Sequence, residues 1–147
     1  MNIKLNEGAF LPHKATEGAA AYDCYIPEDV VIKPGRQIVP LGFAMEIPAG
    51  FEAMIEPRSG FSAKGMEDKN HERKDADVIP GKIDSDYRGI VGVIIKSNEK
   101  YPFTLTRGTR IAQMTFYMAY EAGPWDIVDE LSSTDRGDGG FGSTGAQ

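Results

Sequence analysis

The tetrapeptide PRSG, from Pro57 to Gly60, brings together an arginine, a hydroxyl residue and a glycine. A guanidinium can donate two parallel hydrogen bonds to a phosphate or carboxylate, and backbone amides beside a glycine are open to the same oxygens. The segment could therefore bind an anion through Arg58 and Ser59. Most tetrapeptides of this kind are simple turns, so the motif by itself leaves both interpretations open.

A second segment, GKIDSDYRG, spans residues 81–89 and carries two carboxylates two positions apart. Side chains two apart share a face in an extended hairpin, which predicts that Asp84 and Asp86 lie near one another with Tyr87 beside them. Neighbouring carboxylates shift each other's pKa and can serve acid–base chemistry. A polar β-turn with a stacked tyrosine is the alternative.

Two further segments mix the same residue types. RGTRIAQM, residues 107–114, offers Arg110 and Gln113 beside apolar residues, a pattern that also fits an ordinary strand. The C-terminal RGDGGFGSTGAQ, residues 136–147, is typical of a flexible tail. It also holds one guanidinium for phosphate oxygens, backbone amides free of Cβ obstruction, and one aromatic plane able to cover a base.

The rest of the chain must position these segments, and its pattern is that of an all-β protein. Short β-branched and aromatic runs are broken by Gly and Pro at close intervals, which predicts a sandwich or barrel. Residues 33–35 (KPG) and 48–50 (PAG) have the chemistry of turns between antiparallel strands. No stretch has a sustained helical period, and the best helical candidate is one or two turns after Ser59.

The 147 residues suffice for one domain with its own core. We expect a β-barrel domain over residues 1–125 and a linker with a C-terminal arm over residues 126–147. One stretch of the domain, KGMEDKNHERKDAD at residues 64–77, is almost wholly polar. The favoured interpretation is a solvated or disordered loop, and the alternative is an element that binds an unknown partner.

Charge and cysteine content disfavour several classes of function. The chain has 22 acidic and 16 basic residues and a net charge of −6, which argues against binding to nucleic acid or an anionic membrane. Cys24 is the single cysteine, so we expect no internal disulfide and a small buried side chain. No apolar N-terminal run is present, which predicts a cytoplasmic protein. His13 and His71 lack zinc-site spacing, so a divalent metal should take oxygen ligands.

Taken together, five ordered segments closely resemble the motifs of the trimeric dUTP pyrophosphatase family, the dUTPases. They are AAAYDCYIP at 19–27, PRSG at 57–60, GKIDSDYRG at 81–89, RGTRIAQM at 107–114 and RGDGGFGSTG at 136–145. The resemblance implies a jelly-roll or distorted β-barrel fold and a homotrimer with shared active sites. It also implies Mg²⁺-dependent hydrolysis of dUTP to dUMP and pyrophosphate, which limits dUTP and supplies dUMP for dTTP synthesis.

The resemblance implies roles for individual residues. Asp84 would be the general base that orients and deprotonates the water attacking the α-phosphorus, and Gln113 would bond the α-phosphate or that water. Tyr87 would lie against the deoxyribose and leave no room for a 2′-hydroxyl. Phosphate contacts are implied for Arg58, Ser59 and Gly60, and uracil contacts, largely through the main chain, for Gly81, Lys82, Ile83 and Gly92.

By the same resemblance, the glycine-rich tail would be a mobile lid over the site of another subunit. Arg136 would contact the γ-phosphate and Phe141 would stack on uracil. The residues that would surround the phosphate chain are Gly140, Gly142, Ser143 and Thr144. The glycines would let the backbone reach the phosphates and keep the lid disordered when the site is empty.

Two charged residues receive supporting roles. For Asp23 the resemblance implies a water-mediated role near a Mg²⁺ held chiefly by the triphosphate, and the alternative is a buried aspartate that holds a turn. Arg110 would make a structural ion pair or hydrogen bonds across the subunit. The chain departs from many relatives at Val78, where they carry an asparagine that touches the base, and in a longer segment between Gly60 and Gly81.

Two other functions compete with dUTP hydrolysis. A dCTP deaminase of the same fold would share the phosphate grip but not the arrangement of Asp84 and Tyr87. A dUTPase-like regulatory protein would use residues 64–77 to bind its partner, with or without catalysis. The complete set of motifs argues against a catalytically silent protein.

Overall fold

The computed structural model describes residues 1–140, and within that range the chain forms thirteen short β-strands and one helix. The strands are β1 (Asn2–Leu5), β2 (Tyr22–Tyr25), β3 (Val30–Ile32), β4 (Gly35–Pro40), β5 (Phe43–Glu46), β6 (Phe51–Glu56), β7 (Met66–Glu67), β8 (Arg73–Lys74), β9 (Ala76–Ile79), β10 (Gly81–Ile83), β11 (Gly92–Ser97), β12 (Phe103–Leu105) and β13 (Arg110–Met118). Helix α1 (Ser59–Lys64) follows β6, so the short helix predicted after Ser59 is confirmed.

The strands pair antiparallel in two larger sheets and three two-stranded pairs. One sheet has the order β10-β6-β13-β2 and the other β4-β11-β9. The two-stranded pairs are β1 with β5, β12 with β3, and β7 with β8. Neighbours such as β2 and β13 are distant in sequence, so the fold depends on long-range pairing. The predicted all-β architecture is confirmed.

Alternation along the strands of the four-stranded sheet separates an apolar core from a polar face. The inward residues, all buried, are Cys24, Ala53, Ile55, Ala112 and Met114. A β-bulge between Arg110 and Ala112 brings two successive residues, Ile111 and Ala112, into the core. The residues that alternate with these core positions, on the opposite face, are Asp23, Glu56, Gln113, Thr115 and Tyr117.

Residues 66–74 form an ordered hairpin, so the prediction of a disordered loop is wrong, whereas the predicted solvation is borne out because most residues of 64–77 are exposed. β7 pairs with β8, and the side chain of Met66, the first residue of β7, is fully buried. The N–H of Lys69 donates to the carbonyl oxygen of Thr104 in β12 at 2.8 Å. The buried Met66 side chain and this backbone bond therefore fasten the hairpin to the barrel.

The Asp68 carboxylate holds the turn of this hairpin. Its Oδ1 accepts the N–H groups of Asn70 at 2.8 Å and Glu72 at 3.0 Å. Its Oδ2 lies 3.5 Å from Nζ of Lys74. Burial acts to raise the pKa of Asp68, but the two N–H groups and the Lys74 ammonium lower it below the ordinary value. The ionised carboxylate is therefore the form that stabilises the hairpin.

Gly65 allows the hairpin to begin directly after α1. Its φ is +75°, which favours glycine, and a Cβ there would lie 2.5 Å from the carbonyl oxygen of Lys74. A side chain at this position would separate the end of α1 from β8. The helix and the hairpin can therefore form two walls of one cleft.

Candidate active site

The polar face of the four-stranded sheet is the floor of a cavity of about 420 Å³, which we call the sheet cavity. Asp23 of β2 lies opposite Gln113 of β13, and Gln113 lies opposite Glu56 of β6. These three side chains form one row across the sheet, because residues in register share a face. Arg58 and Ser59 also line the cavity, so the structure brings them together with Gln113 as predicted.

Asp23 holds two arginines at this cavity. Nε of Arg58 donates to Oδ1 of Asp23 at 2.9 Å, and Nη1 of Arg110 donates to Oδ2 at 3.2 Å. Asp23 is only 8% exposed, so water screens these ion pairs less than it would at the surface. Nη1 of Arg58 also donates to the carbonyl oxygen of Arg110 at 3.4 Å. The two guanidinium groups are thus fixed within one chain, and the ion pair predicted for Arg110 is present.

Hydrogen bonds fix the other polar side chains of the floor. Nε2 of Gln113 donates to the carbonyl oxygen of Pro57 at 3.1 Å. Oγ1 of Thr115 donates to Oε2 of Glu56 at 2.7 Å, and the Tyr117 hydroxyl donates to the same carboxylate at 3.3 Å. The floor is therefore preorganised, and protein groups compensate its carboxylates.

A second cavity, of about 230 Å³, lies between β10 and β11, and we call it the glycine cavity. Six predicted site residues line it: Gly81, Lys82, Ile83, Asp84, Tyr87 and Gly92. The Tyr87 hydroxyl donates to the carbonyl oxygen of Ile90 at 3.2 Å, which fixes the ring. A Cβ at Gly89 would collide with the Tyr87 hydroxyl, so the ring lies directly against that backbone.

Asp84 and Asp86 do not share an extended face, so that prediction is wrong. β10 ends at Ile83, and the N–H of Tyr87 donates to the carbonyl oxygen of Asp84 at 3.1 Å. This bond closes a β-turn with Ser85 and Asp86 at its centre, which is the alternative left open for the segment. Of the two carboxylates, Asp84 lines the glycine cavity.

Two of the isoleucines that line the glycine cavity and lie outside the motifs face each other across neighbouring strands. Ile38 of β4 lies directly opposite Ile94 of β11, and both line the cavity. A Cβ on Gly92 would lie 2.6 Å from Cγ2 of Ile38, and one on Gly81 would lie 3.8 Å from Cδ1 of Ile94. Ile38 is 69% exposed. The sequence offered one signal for the role of Ile38, namely an apolar residue at an outward position of a strand.

Asp84 and Gln113, which the resemblance assigns to the same attacking water, lie far apart in one chain. Gln113 is in register with Glu56 of β6, whereas the register of β10, extended by one residue, places Asp84 level with Glu52. Four residues along a strand and two strand spacings put their Cα atoms about 16 Å apart. One chain therefore does not bring both side chains to one point.

The remaining predicted residues fall outside the two cavities or beyond the described chain. Of the residues that line the glycine cavity, Lys82 also forms an ion pair with Glu52. Gly60 is exposed in the first turn of α1. Arg136 and Gly140 lie in the irregular segment that follows β13, where Nε of Arg136 donates to the carbonyl oxygen of Gly139 at 2.9 Å. The predicted arm residues outside the described range are Phe141, Gly142, Ser143 and Thr144.

The departure at Val78 has a structural explanation. Val78 is 6% exposed and its side chain belongs to the hydrophobic core. It faces away from the solvent side of β9, so an amide contact to a ligand in the glycine cavity is not available from this position.

The potential metal ligands of residues 1–140 include no group of three or more His, Cys, Asp or Glu side chains that could hold an ion. Both oxygens of Asp23 already accept bonds from guanidinium groups. This geometry favours the structural role among the two left open for Asp23, although the residue lies on a strand and not in a turn.

Burial and the Asp23 carboxylate also act on the neighbouring residues of β2. Burial first, and then Asp23, raise the pKa of the Cys24 thiol to about 12. Burial and Asp23 likewise raise the pKa of the Tyr25 hydroxyl. Cys24 is fully buried, as predicted, and remains a neutral thiol. Within residues 1–140, the one helix is too short to cross a membrane.

Comparisons with known proteins identify the family of this chain. The family model described as dUTPase matches residues 7–145. A deoxyuridine 5'-triphosphate nucleotidohydrolase of Anaeromyxobacter sp. (strain Fw109-5) is 44% identical over 137 residues, which cover 92% of this chain and 87% of that protein. One of the same name from Nautilia profundicola (strain ATCC BAA-1463 / DSM 18972 / AmH) is 42% identical over 144 residues, or 97% of this chain and 95% of that protein.

A solved structure supports the same assignment. The dUTPase of Staphylococcus bacteriophage 80alpha, determined with dUPNHPP, superposes with a TM-score of 0.82 at 26% identity and covers 98% of this chain and 97% of that one. The predicted jelly-roll barrel is thereby confirmed. Because the family model and both relatives cover almost the whole sequence, the chain belongs to the dUTPase family.

Proposed function

We propose that this chain is a dUTP diphosphatase, which hydrolyses dUTP to dUMP and pyrophosphate. The observation that carries the proposal is the family match over residues 7–145, which includes the residues of both cavities. The two cavities divide the work of recognition as the substrate requires. One presents positive charge and hydroxyl groups, and the other presents apolar walls and open backbone.

The sheet cavity suits the triphosphate. Arg58 and Arg110 present guanidinium groups that Asp23 already orients, and such groups bind phosphate oxygens through parallel hydrogen bonds. Ser59 adds a hydroxyl group to the same cavity, and Gly60 follows it with an unobstructed amide. We assign these residues to the phosphate chain.

The glycine cavity suits uracil and deoxyribose. Gly81 and Gly92 leave the backbone of β10 and β11 open to a planar base, and Ile83 contributes its main chain beside them. The fixed ring of Tyr87 would pack against the sugar and exclude a 2′-hydroxyl by contact. UTP should therefore be a poor substrate.

Asp84 and Gln113 act on the attacking water. Asp84 accepts a proton as the oxygen of that water bonds to the α-phosphorus, and the bond from this phosphorus to the oxygen that bridges to the β-phosphorus breaks. Pyrophosphate leaves with the bridging oxygen, and dUMP remains. Gln113 orients the water or holds the α-phosphate, so that positioning contributes much of the acceleration.

The reaction uses Mg²⁺, which when bound neutralises phosphate charge and restrains the triphosphate. Within residues 1–140 no cluster of protein ligands is built for an ion, and this fits an ion held by phosphate oxygens and water. Asp23 would contact it only through water, because guanidinium groups occupy both carboxylate oxygens.

We further propose a homotrimer in which each site draws on more than one chain. The separation of about 16 Å between Asp84 and Gln113 supports this, since a site needs both groups at one phosphorus. Residues 126–147 would be the linker and lid that follow the barrel of residues 1–125. In the lid, Arg136 would contact the γ-phosphate and Phe141 would stack on uracil. The single cysteine of the sequence supports a cytoplasmic location.

Pyrophosphate release from dUTP, dTTP, dCTP and UTP, each with Mg²⁺ and with EDTA, tests the activity. We expect release from dUTP alone, and its loss in EDTA. Ammonia release from dCTP would support instead a deaminase of the same fold. No cleavage of any nucleotide would contradict the proposal.

Mixing inactive variants tests the shared site. Asp84→Asn and Gln113→Ala chains, unfolded and refolded together, should regain part of the activity, because some sites then combine an intact Asp84 with an intact Gln113. Each variant refolded alone is the control. Sedimentation velocity should show three chains per particle, and a monomer that is active by itself would overturn the assembly.

A further inference from the structure

A third cavity, of about 470 Å³, lies between α1, the β7–β8 hairpin and the turn before β13. We call it the hairpin cavity. Five cationic and two carboxylate side chains line it, in a chain whose net charge is −6. The cations are Arg58, Lys64, Lys69, Arg73 and Arg110.

Two of these cations carry charge that the described residues do not compensate. Arg58 and Arg110 share Asp23, and Nη2 of Arg73 lies 3.0 Å from Oε2 of Glu67. Among residues 1–140, no ion pair is found for Lys64 or for Lys69, while half-buried Phe61 adds an apolar patch to the same wall. The cavity suits an acidic ligand with apolar side chains.

A segment of that chemistry is present in the chain itself. Residues 126–135 read DIVDELSSTD, with four acidic residues and no basic one, and we call them the acidic linker. Ile127 is 100% exposed and Leu131 is 89% exposed, and the whole linker lacks strand or helix. Among residues 1–140, the apolar side chains of the linker are therefore largely uncovered.

We propose that the acidic linker of one copy docks in the hairpin cavity of a second copy. The inference rests on the proposed function, in which Arg136 reaches the γ-phosphate and Phe141 the base. Arg58 and Arg110 belong to both the sheet cavity and the hairpin cavity, so the two are continuous. A linker that lies in the hairpin cavity would therefore lead Arg136 to the phosphate end of the sheet cavity.

Chain length allows this path. Arg136 lies eighteen positions after Met118, the end of β13. The chain between them spans up to about 60 Å when extended, which is enough to reach a neighbouring copy. In this proposal the β7–β8 hairpin binds the arm. The alternative interpretation of residues 64–77, an element that binds a partner, would then apply, with a second copy of the chain as that partner.

Charge reversal on each side tests the contact. Lys64→Glu with Lys69→Glu, and separately Asp129→Lys with Glu130→Lys, should each raise KM for dUTP about threefold to tenfold, as expected for the loss of a few exposed ion pairs. The chain with all four changes should return to within about twofold of wild type. Lys4→Glu with Lys33→Glu, two exposed lysines elsewhere, is the matched control.

Trp125, the single tryptophan, adjoins the linker and reports docking directly. Its emission should shift to shorter wavelength when dUPNHPP is added to wild type, and less so in either double variant. Failure of wild type to hydrolyse dUTP would contradict the proposed function. The docking of the linker could still be tested without nucleotide, by comparing Trp125 emission at low and at high salt. No difference in emission between wild type and the cavity variant would then reject it.

Mixing the two double variants tests which copy is used. Docking between copies gives mixed trimers with some matched pairs, so catalytic efficiency should partly recover. No recovery on mixing, with recovery in the fourfold variant, would mean that the linker returns to its own chain. Effects no larger than those of the lysine control, or a fourfold variant as weak as the doubles, would overturn the docking altogether.

Discussion

The sheet cavity and the glycine cavity lie on the same barrel but are lined by different kinds of groups. In the sheet cavity, charged side chains hold one another: Asp23 fixes Arg58 and Arg110 before any ligand binds. In the glycine cavity, recognition depends on side chains that are missing at Gly81 and Gly92 and on the isoleucines packed against them. Under the proposed function, a charged ligand would thus be met by preset charge, and a planar base by shape.

This difference predicts how each cavity fails. A substitution in the sheet cavity should leave a charged side chain without its partner, so it should affect both the stability of the fold and the affinity for the ligand. A change in the glycine cavity should leave the fold intact and alter which base is accepted. The one residue of the glycine cavity that should break this rule is Asp84, because its proposed role is that of the general base.

The largest effect is expected for Asp84→Asn. It should lower kcat about 10²- to 10⁴-fold, because the amide keeps the shape of the aspartate but cannot accept the proton. Nucleotide affinity should be preserved, as measured by titration calorimetry with dUPNHPP. Asp86→Asn, on the same turn, is the matched control and should keep most of the activity; equal losses in the two variants would refute the role of Asp84.

The next effect is expected for Asp23→Asn in the sheet cavity. Loss of the carboxylate leaves Arg58 and Arg110 without their shared partner, which should lower the free energy of unfolding by about 2 kcal/mol. Urea unfolding measures the change, and KM for dUTP should rise with it. The exposed neighbour Glu28, changed to Gln, should have little effect, and an Asp23→Asn protein of wild-type stability would remove the distinction between the cavities.

Ile38→Ala should change specificity and leave stability almost untouched, since Ile38 is largely exposed. The shorter side chain opens the wall against Gly92, and a pocket discriminates one methyl group by about tenfold or more. The ratio of kcat/KM for dTTP to that for dUTP should therefore rise about tenfold. Val31→Ala, at an exposed position of β3, is the control, and an unchanged ratio would show that Ile38 does not bound the base.

The smallest effect is expected at the hairpin, and it depends on pH. The pKa of Asp68 is lowered in the folded chain, so its contribution is present at neutral pH and is lost as pH falls through the folded pKa. Amide protection of Asn70 and Glu72, followed by hydrogen exchange, should decline on acidification toward about pH 3 in wild type.

Asp68→Asn should show weaker protection at neutral pH and little further decline. Asp77→Asn, an exposed aspartate just beyond the hairpin, should behave as wild type. Protection that is independent of both pH and Asp68 would mean that Met66 alone anchors the hairpin.

The sequence was sufficient for the features that depend on local pattern. Strands broken by Gly and Pro, the helix after Ser59, the burial of Cys24 and the grouping of Arg58 with Ser59 and Gln113 were all predictable. Each follows from residue type, from short-range periodicity, or from an ordered set of motifs. Residue roles carried over from the family remain predictions.

Features that depend on long-range register could not be predicted. Ile38 lies against Gly92 only because β4 pairs with β11, and no local pattern reports that pairing. The hairpin within residues 64–77 could not be predicted because its one buried anchor, Met66, stands among charged residues that give no strand pattern. The sequence left residues 81–89 open between a turn and an extended hairpin, because the same residues fit both, and the hydrogen bond from Tyr87 to Asp84 decides for the turn.

Arg107 is a further example. Its guanidinium donates to the carbonyl oxygens of Pro27 at 2.9 Å and Gly8 at 3.1 Å, and it lies 4.5 Å from the ring centroid of Phe10. Three loops distant in sequence meet at this one side chain. Only the folded topology shows that this arginine, which begins a motif segment, ties loops together.

The buried thiol of Cys24 has a practical consequence. With its pKa raised to about 12, almost none of it is thiolate at neutral pH, and the core excludes reagents from it. A cysteine introduced at an exposed position such as Ser132 would therefore be the one reactive sulfur in the protein. Spin labels or dyes could be attached there in the otherwise native sequence, and the movement of the arm could be followed without first removing a competing group.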